Sequence, residues 1–193
     1  AIGLYFQLWF PQVPQWLPGL VTLLILLGLN LMTVSTFGEL EFWFALIKIL
    51  AIVILIAVGV ILVLLHFHSA SGYLATPANL VNDGGFFATG TKGFMLSFQM
   101  VVFAFVGIEM VGVTAAEAEN PKVVIPKAIN GIPVRIMLFY IGALAVIMCI
   151  YPWSKLSPSN SPFVLVFRDI GLPGAASIVN FVVITAAASA CNS

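Results

Sequence analysis

Two charged residues stand inside long apolar runs: Lys48, in ALIKILAIVILIAVGVILVLL, and Glu109, in MVVFAFVGIEMVGVTA. At the centre of a membrane helix a charge costs at least about 2.5 to 3.5 kcal/mol on insertion scales, so each invites a functional role. An ammonium displaced from bulk water can gain and lose a proton as its surroundings alternate between wet and dry, which is the chemistry of proton coupling. Lys48 has a second reading, in which its long stem carries the charge back to the interface toward Glu41, two turns away on the same helical face. Burial arguments alone leave both readings open. Glu109 has too short a side chain to reach water from mid-span.

Gly107 and Gly112 flank Glu109. Glycine weakens a helix interior by about 1 kcal/mol relative to alanine, and a glycine-interrupted span in a transporter marks a discontinuous helix whose free backbone groups hold substrate. Gly also permits close packing of membrane helices; the pairing of Gly107 with Glu109 favours a break over residues 103 to 109. Phe103 and Phe105 flank that break, where an aromatic face can close over a small zwitterion or offer a cation-π contact to its ammonium. Taken singly, each Phe reads as a lipid-facing or core residue before it reads as a gate.

The elements that position these groups follow from composition. Of the residues, 62% are hydrophobic and 7% charged, whereas a soluble domain carries about a quarter charged residues. A domain of about 150 to 200 residues still exposes some 30% of its unfolded surface, so lipid must cover most of this chain. The expected fold class is all-α, a polytopic membrane helix bundle. Five stretches are long and apolar enough to span the roughly 30 Å hydrocarbon layer: residues 18 to 36, 42 to 66, 94 to 116 (broken), 133 to 152 and 171 to 191. Residues 1 to 10 read as the last turns of a further helix, stopped by Pro11, Pro14 and Pro18. The basic cluster Lys122, Lys127 and Arg135 predicts a cytoplasmic link. Alternation then puts the 67 to 93 and 153 to 170 loops outside and a 36 to 41 turn inside.

Other chemistries find little support. Seven basic and seven acidic residues cancel, without a basic stripe for nucleic acid. Cys149 and Cys191 read as small buried hydrophobes rather than a disulfide or metal pair. His66 and His68 form an HxH pair, read as interfacial anchoring in preference to metal binding or pH sensing. Asn30 and Asn180 read as interhelical hydrogen-bonding groups. Absent a catalytic triad, paired carboxylates, phosphate loop or metal-ligand spacing, neither an enzyme nor a cofactor or metal is expected. A pore would need polar or charged rings, which isolated Lys48 and Glu109 do not form.

The segment SFQMVVFAFVGIEMVGVTAAEAENPKVVIPKAIN (97 to 130) resembles the signature region of bacterial amino acid permeases of the amino acid-polyamine-organocation superfamily, through FxGxExxG followed by NPxxxIPKAI. FQLWFPQVPQW, FGELEFWFALIKIL, SPFVLVF and NFVVITAAASACNS agree in the same order. Within that group GIEMVGVTAAEAENP and TAAASACNS are most similar to the D-serine/D-alanine/glycine permeases, and aromatic amino acid permeases are also similar. The resemblance implies a twelve-helix, five-plus-five inverted-repeat fold, of which this chain is one part running from the end of the third helix to the eighth, with the first and last helices missing. It implies secondary active, proton-coupled import of a small neutral amino acid across the inner (plasma) membrane. It carries over Phe103 as an aromatic gate, with Phe where related chains have Trp, and Ala104 and Phe105 as the adjoining segment. Gly107 becomes the unwound point and Glu109 the carboxylate beyond it. It favours the coupling reading of Lys48, which matches a fifth-helix lysine of proton-driven relatives, and puts Ser189 near the same cation region. The expected partners are an amino acid substrate, a proton and the lipid bilayer. A permease for other amino acids, or a truncated membrane fragment that does not transport, is the alternative.

Overall fold

The computed structural model describes residues 2–31, 34–85, 87–105, 108, 120–157 and 161–192. Among these the chain is helical, an all-α bundle. A short helix α1 (Ile2–Phe6) precedes the proline-rich turn, and α2 spans Trp16–Asn30. Leu20, Val21, Leu23, Leu24, Ile25 and Leu27 all face outward on α2; a helix apolar all round belongs in lipid or against further apolar surface, not in water.

The helix α3 runs Val34–Leu64, 31 residues, roughly 46 Å at 1.5 Å per residue. The expected turn at 36 to 41 is therefore helical backbone. The polar residues there suit a helix that continues past the hydrocarbon layer as well as they suit a turn, and the apolar span itself is Phe42–Leu64. At its far end α3 stops in a Schellman cap: the Phe67 N–H donates to the Leu62 carbonyl at 3.0 Å and the His66 N–H to that of Val63 at 3.2 Å. His66 takes the left-handed conformation, φ 49°, that such a cap requires. It terminates the helix.

The 67 to 93 loop carries the one-turn helix α4 (Asn79–Asn82) and leads into α5 (Gly90–Ala104). After the undescribed stretch, α6 (Pro121–Arg135), a π-type segment (Ile136–Gly142) and α7 (Ala143–Ile150) follow without interruption. Together they make one apolar helix of 30 residues. Lys122 and Lys127 thus lie on its first two turns, beyond what the roughly 30 Å layer needs, while Arg135 stands midway along it. A 3-10 turn (Trp153–Lys155) leads to the amphipathic α8 (Pro162–Asp169), and α9 (Pro173–Asn192) follows. Among the described residues three helices are long and apolar enough to cross a membrane: Phe42–Leu64, Pro121–Ile150 and Gly174–Cys191.

Side-chain register fixes how these helices run. A Cβ on Gly142 would touch Ile56, one on Gly59 would collide with Val146 and meet Ile150, and Val60, Val63 and Leu64 share a cavity with Ala145, Val146 and Cys149. Both helices advance together, so α3 and α7 are parallel. The helix α9 begins beside the exit of α7 and returns antiparallel to both. Leu55, Leu62, Ile150, Val164, Phe167, Ala176 and Val179 form the core where they meet.

That end of the bundle is laced by polar contacts. The carboxylate of Asp169 accepts from the hydroxyls of Tyr151 (2.9 Å) and Ser71 (3.3 Å), and Asn79 Nδ2 donates to the carbonyls of Cys149 (2.8 Å) and Leu74 (2.9 Å). The Trp153 indole N–H and the Ser154 hydroxyl donate to Asp83. Burial first, then the Asp169 hydrogen bond and charge, pushes the Tyr151 phenol above the ordinary tyrosine value, so it remains a donor wherever the protein works.

Candidate functional site

The helix α5 ends at Ala104, inside the stretch where the sequence predicts a break. The Phe105 N–H donates three residues back to Val102 at 3.2 Å, and the Ile108 N–H donates to Phe105 at 3.4 Å. In a continued α-helix Ile108 would donate to Ala104, so the Ala104 carbonyl loses that partner. A side chain from another helix takes its place: the Tyr140 hydroxyl donates to the Ala104 carbonyl at 3.2 Å. The same ring stacks on Phe105, with centroids 5.3 Å apart and planes 12° apart.

Tyr140 lies in the π-type segment Ile136–Gly142, a widened turn of a kind that recurs at functional sites. Pro133, just upstream in α6, lacks the amide a regular ladder needs. Tyr140 was not singled out in the sequence, because a tyrosine in RIMLFYIGALAV looks like an interfacial aromatic, and a change of helical pitch leaves no periodic trace.

Of the other predicted site residues, Phe103 lies in the last turn of α5, and Ala104 and Phe105 stand at its end. Gly107 and Glu109 lie outside the described residues. Lys48 is half-buried in α3, and Ser189 is buried in α9; each has an interaction partner. Their helices share an apolar cavity lined by Ile47, Leu50, Ala51 and Ile54 and by Ala175, Ile178, Val179 and Val182. Val182 is the residue furthest along α9 among those lining that cavity. Ser189 is seven residues further along α9, roughly 10 Å beyond it. Asn180, expected to bridge helices, does so: its Nδ2 donates to the Tyr5 carbonyl at 2.8 Å.

Similarity to known proteins agrees with this architecture. The model of the amino acid permease family matches residues 1–193. The chain is 64% identical over its whole length to the uncharacterized transporter YdgF of Bacillus subtilis, covering 42% of that protein. It is 55% identical to a D-serine/D-alanine/glycine transporter of Escherichia coli, covering 41%, and 46% identical to the probable threonine/serine transporter YbxG of Bacillus subtilis, covering 42%. The chain thus spans about two-fifths of the length of these relatives. No solved structure matches it. A full-length family match, close relatives that are transporters rather than enzymes and a bundle of apolar helices together establish a multi-pass membrane protein: the chain belongs to the amino acid permease family.

Proposed function

We propose that this chain is the central part of a proton-coupled importer of small neutral amino acids of the D-alanine, D-serine and glycine type, resident in the inner (plasma) membrane. The reading rests on one observation above the others: the α5 ladder stops at Ala104, whose carbonyl is held by a side chain from a different helix. Backbone polar groups released at mid-span can grip the ammonium of a zwitterion without a dedicated charged side chain. Phe103, Ala104, Phe105, Gly107 and Glu109 form this chain's share of the substrate site. Lys48 takes up and releases the coupling proton, and Ser189 is assigned to the cation region on the resemblance alone. The names of the relatives, which cite D-serine, D-alanine, glycine, threonine and serine, support a small side chain on the substrate.

The test is accumulation of radiolabelled D-alanine, D-serine and glycine by vesicles holding the full-length permease that contains this segment, under an imposed pH gradient, acidic outside. Gradient-driven accumulation is expected, and Lys48→Ala should abolish it while leaving exchange of internal for external substrate. Intact accumulation in Lys48→Ala removes the coupling role. Absence of uptake for all three amino acids removes the substrate assignment.

A further inference from the structure

A cavity of about 270 Å³ lies between α1, α8 and α9, lined by Tyr5, Leu8, Ser161, Val164, Asn180 and Arg168 among others. Its described lining includes no residue of the α5 break, and it plays no part in the mechanism above. Its volume falls just below the roughly 300 to 1,000 Å³ of pockets for drug-sized ligands, a size for a small solute.

Three features make its lining polar and fixed. Ser161, Val164, Leu165 and Arg168 recur at helical spacing, so one face of α8 lines the space. Ser161 stands at the N-cap of α8 and is buried, but its hydroxyl makes no cap hydrogen bond, although serine there usually bonds an amide of the first turn. Asn180 is 1% exposed and anchors α1 to α9 through Tyr5. At the other end of the stripe the Arg168 guanidinium is 55% exposed and approaches Asp169 only through Nε, at 3.6 Å. The Asp169 carboxylate is itself held by Tyr151 and Ser71, and those bonds fix the backbone from which Arg168 extends.

We propose that this cavity is a second amino acid site, on the side that the basic residues place outside, where Arg168 receives the substrate carboxylate before the solute reaches the α5 break. The planar guanidinium fork matches a carboxylate and is always charged, while the Ser161 hydroxyl and the Asn180 amide can meet the ammonium. The apolar part, Leu8 and Val164, suits a small side chain. This inference rests on the amino acid transport proposed above.

Initial-rate uptake of glycine and D-alanine by the full-length permease tests it. Arg168→Gln should raise KM about five- to tenfold with the saturated rate within about twofold, the pattern of lost capture rather than lost turnover. Arg168→Lys should recover part of the loss, and Ser161→Leu, which fills the cavity from the opposite end, should raise KM in the same direction. Asp169→Asn, which leaves the guanidinium in place, should change KM less than Arg168→Gln. The proposal is overturned if KM in Arg168→Gln stays within twofold of the parent. It is equally overturned if Asp169→Asn matches Arg168→Gln and Arg168→Lys recovers nothing, because the residue then serves only the α8 contacts. A parent protein without amino acid uptake removes both readings, whereas normal uptake with an unchanged KM removes this one alone.

Discussion

Tyr140 performs two separable jobs with one side chain, a hydrogen bond to the Ala104 carbonyl and a stacked contact with Phe105. A single hydrogen bond of this kind contributes about 0.5 to 1.5 kcal/mol net, and a stacked aromatic pair about 0.5 to 1.5 kcal/mol beyond its buried area. Tyr140→Phe removes only the first. It should raise the uptake KM of the full-length permease severalfold, about fivefold for a loss near 1 kcal/mol, and Tyr140→Ala should raise it further. An unchanged KM in both variants would show that the end of α5 is held without Tyr140. The resemblance, not the physics of single residues, marks Ala104. Lys48 and Glu109 were conspicuous because charge in an apolar run is expensive, while an alanine carbonyl carries no sequence signal.

At the scale of the helix, glycines decide which faces touch. Gly59 admits Val146 so closely that no side chain fits between α3 and α7, while the nearest neighbour of a Cβ on Gly142 is the tip of Ile56 at 3.5 Å, an ordinary contact. Gly59→Leu should therefore force the two helices apart, at a cost of about 1 to 3 kcal/mol or more for overpacking, and lower the thermal midpoint of the detergent-purified full-length protein by several degrees. Gly142→Ala should leave that midpoint nearly unchanged. Equal midpoints for Gly59→Leu and the parent would refute the packing described here. Helix type was legible from apolar length; helix ends were less so. Residues 34 to 41 and 121 to 132 are polar enough for loops, but polar residues also suit helical turns that project into water, and composition alone does not choose between them. His66 illustrates the same limit: the HxH pair speaks of interfacial anchoring by the side chain, and the left-handed backbone that makes His66 a helix cap as well leaves no trace in the sequence.

For the whole molecule, the parallel run of α3 and α7 and the antiparallel return of α9 constrain which loops share a side of the membrane. The 67 to 93 loop, the exit of α7 and α8 are bonded together at one end, and the basic first turns of α6 belong to the other. Asn82→Cys should react with a membrane-impermeant maleimide in intact cells, and Lys122→Cys only after lysis, each in full-length protein lacking Cys149 and Cys191. The opposite labelling pattern would invert the orientation drawn from the basic residues. The widened turn at Ile136–Gly142 has its own consequence for the assembled bundle. A regular helix rotates about 100° per residue, so the surplus residue in a π-type turn works as a phase setting between two halves of one rod. It lets the widened turn present Tyr140 to α5 while the upper half still presents Val146 and Ile150 to Gly59. Trimming one residue there would rewind the rod and turn one of those two faces away from its neighbour.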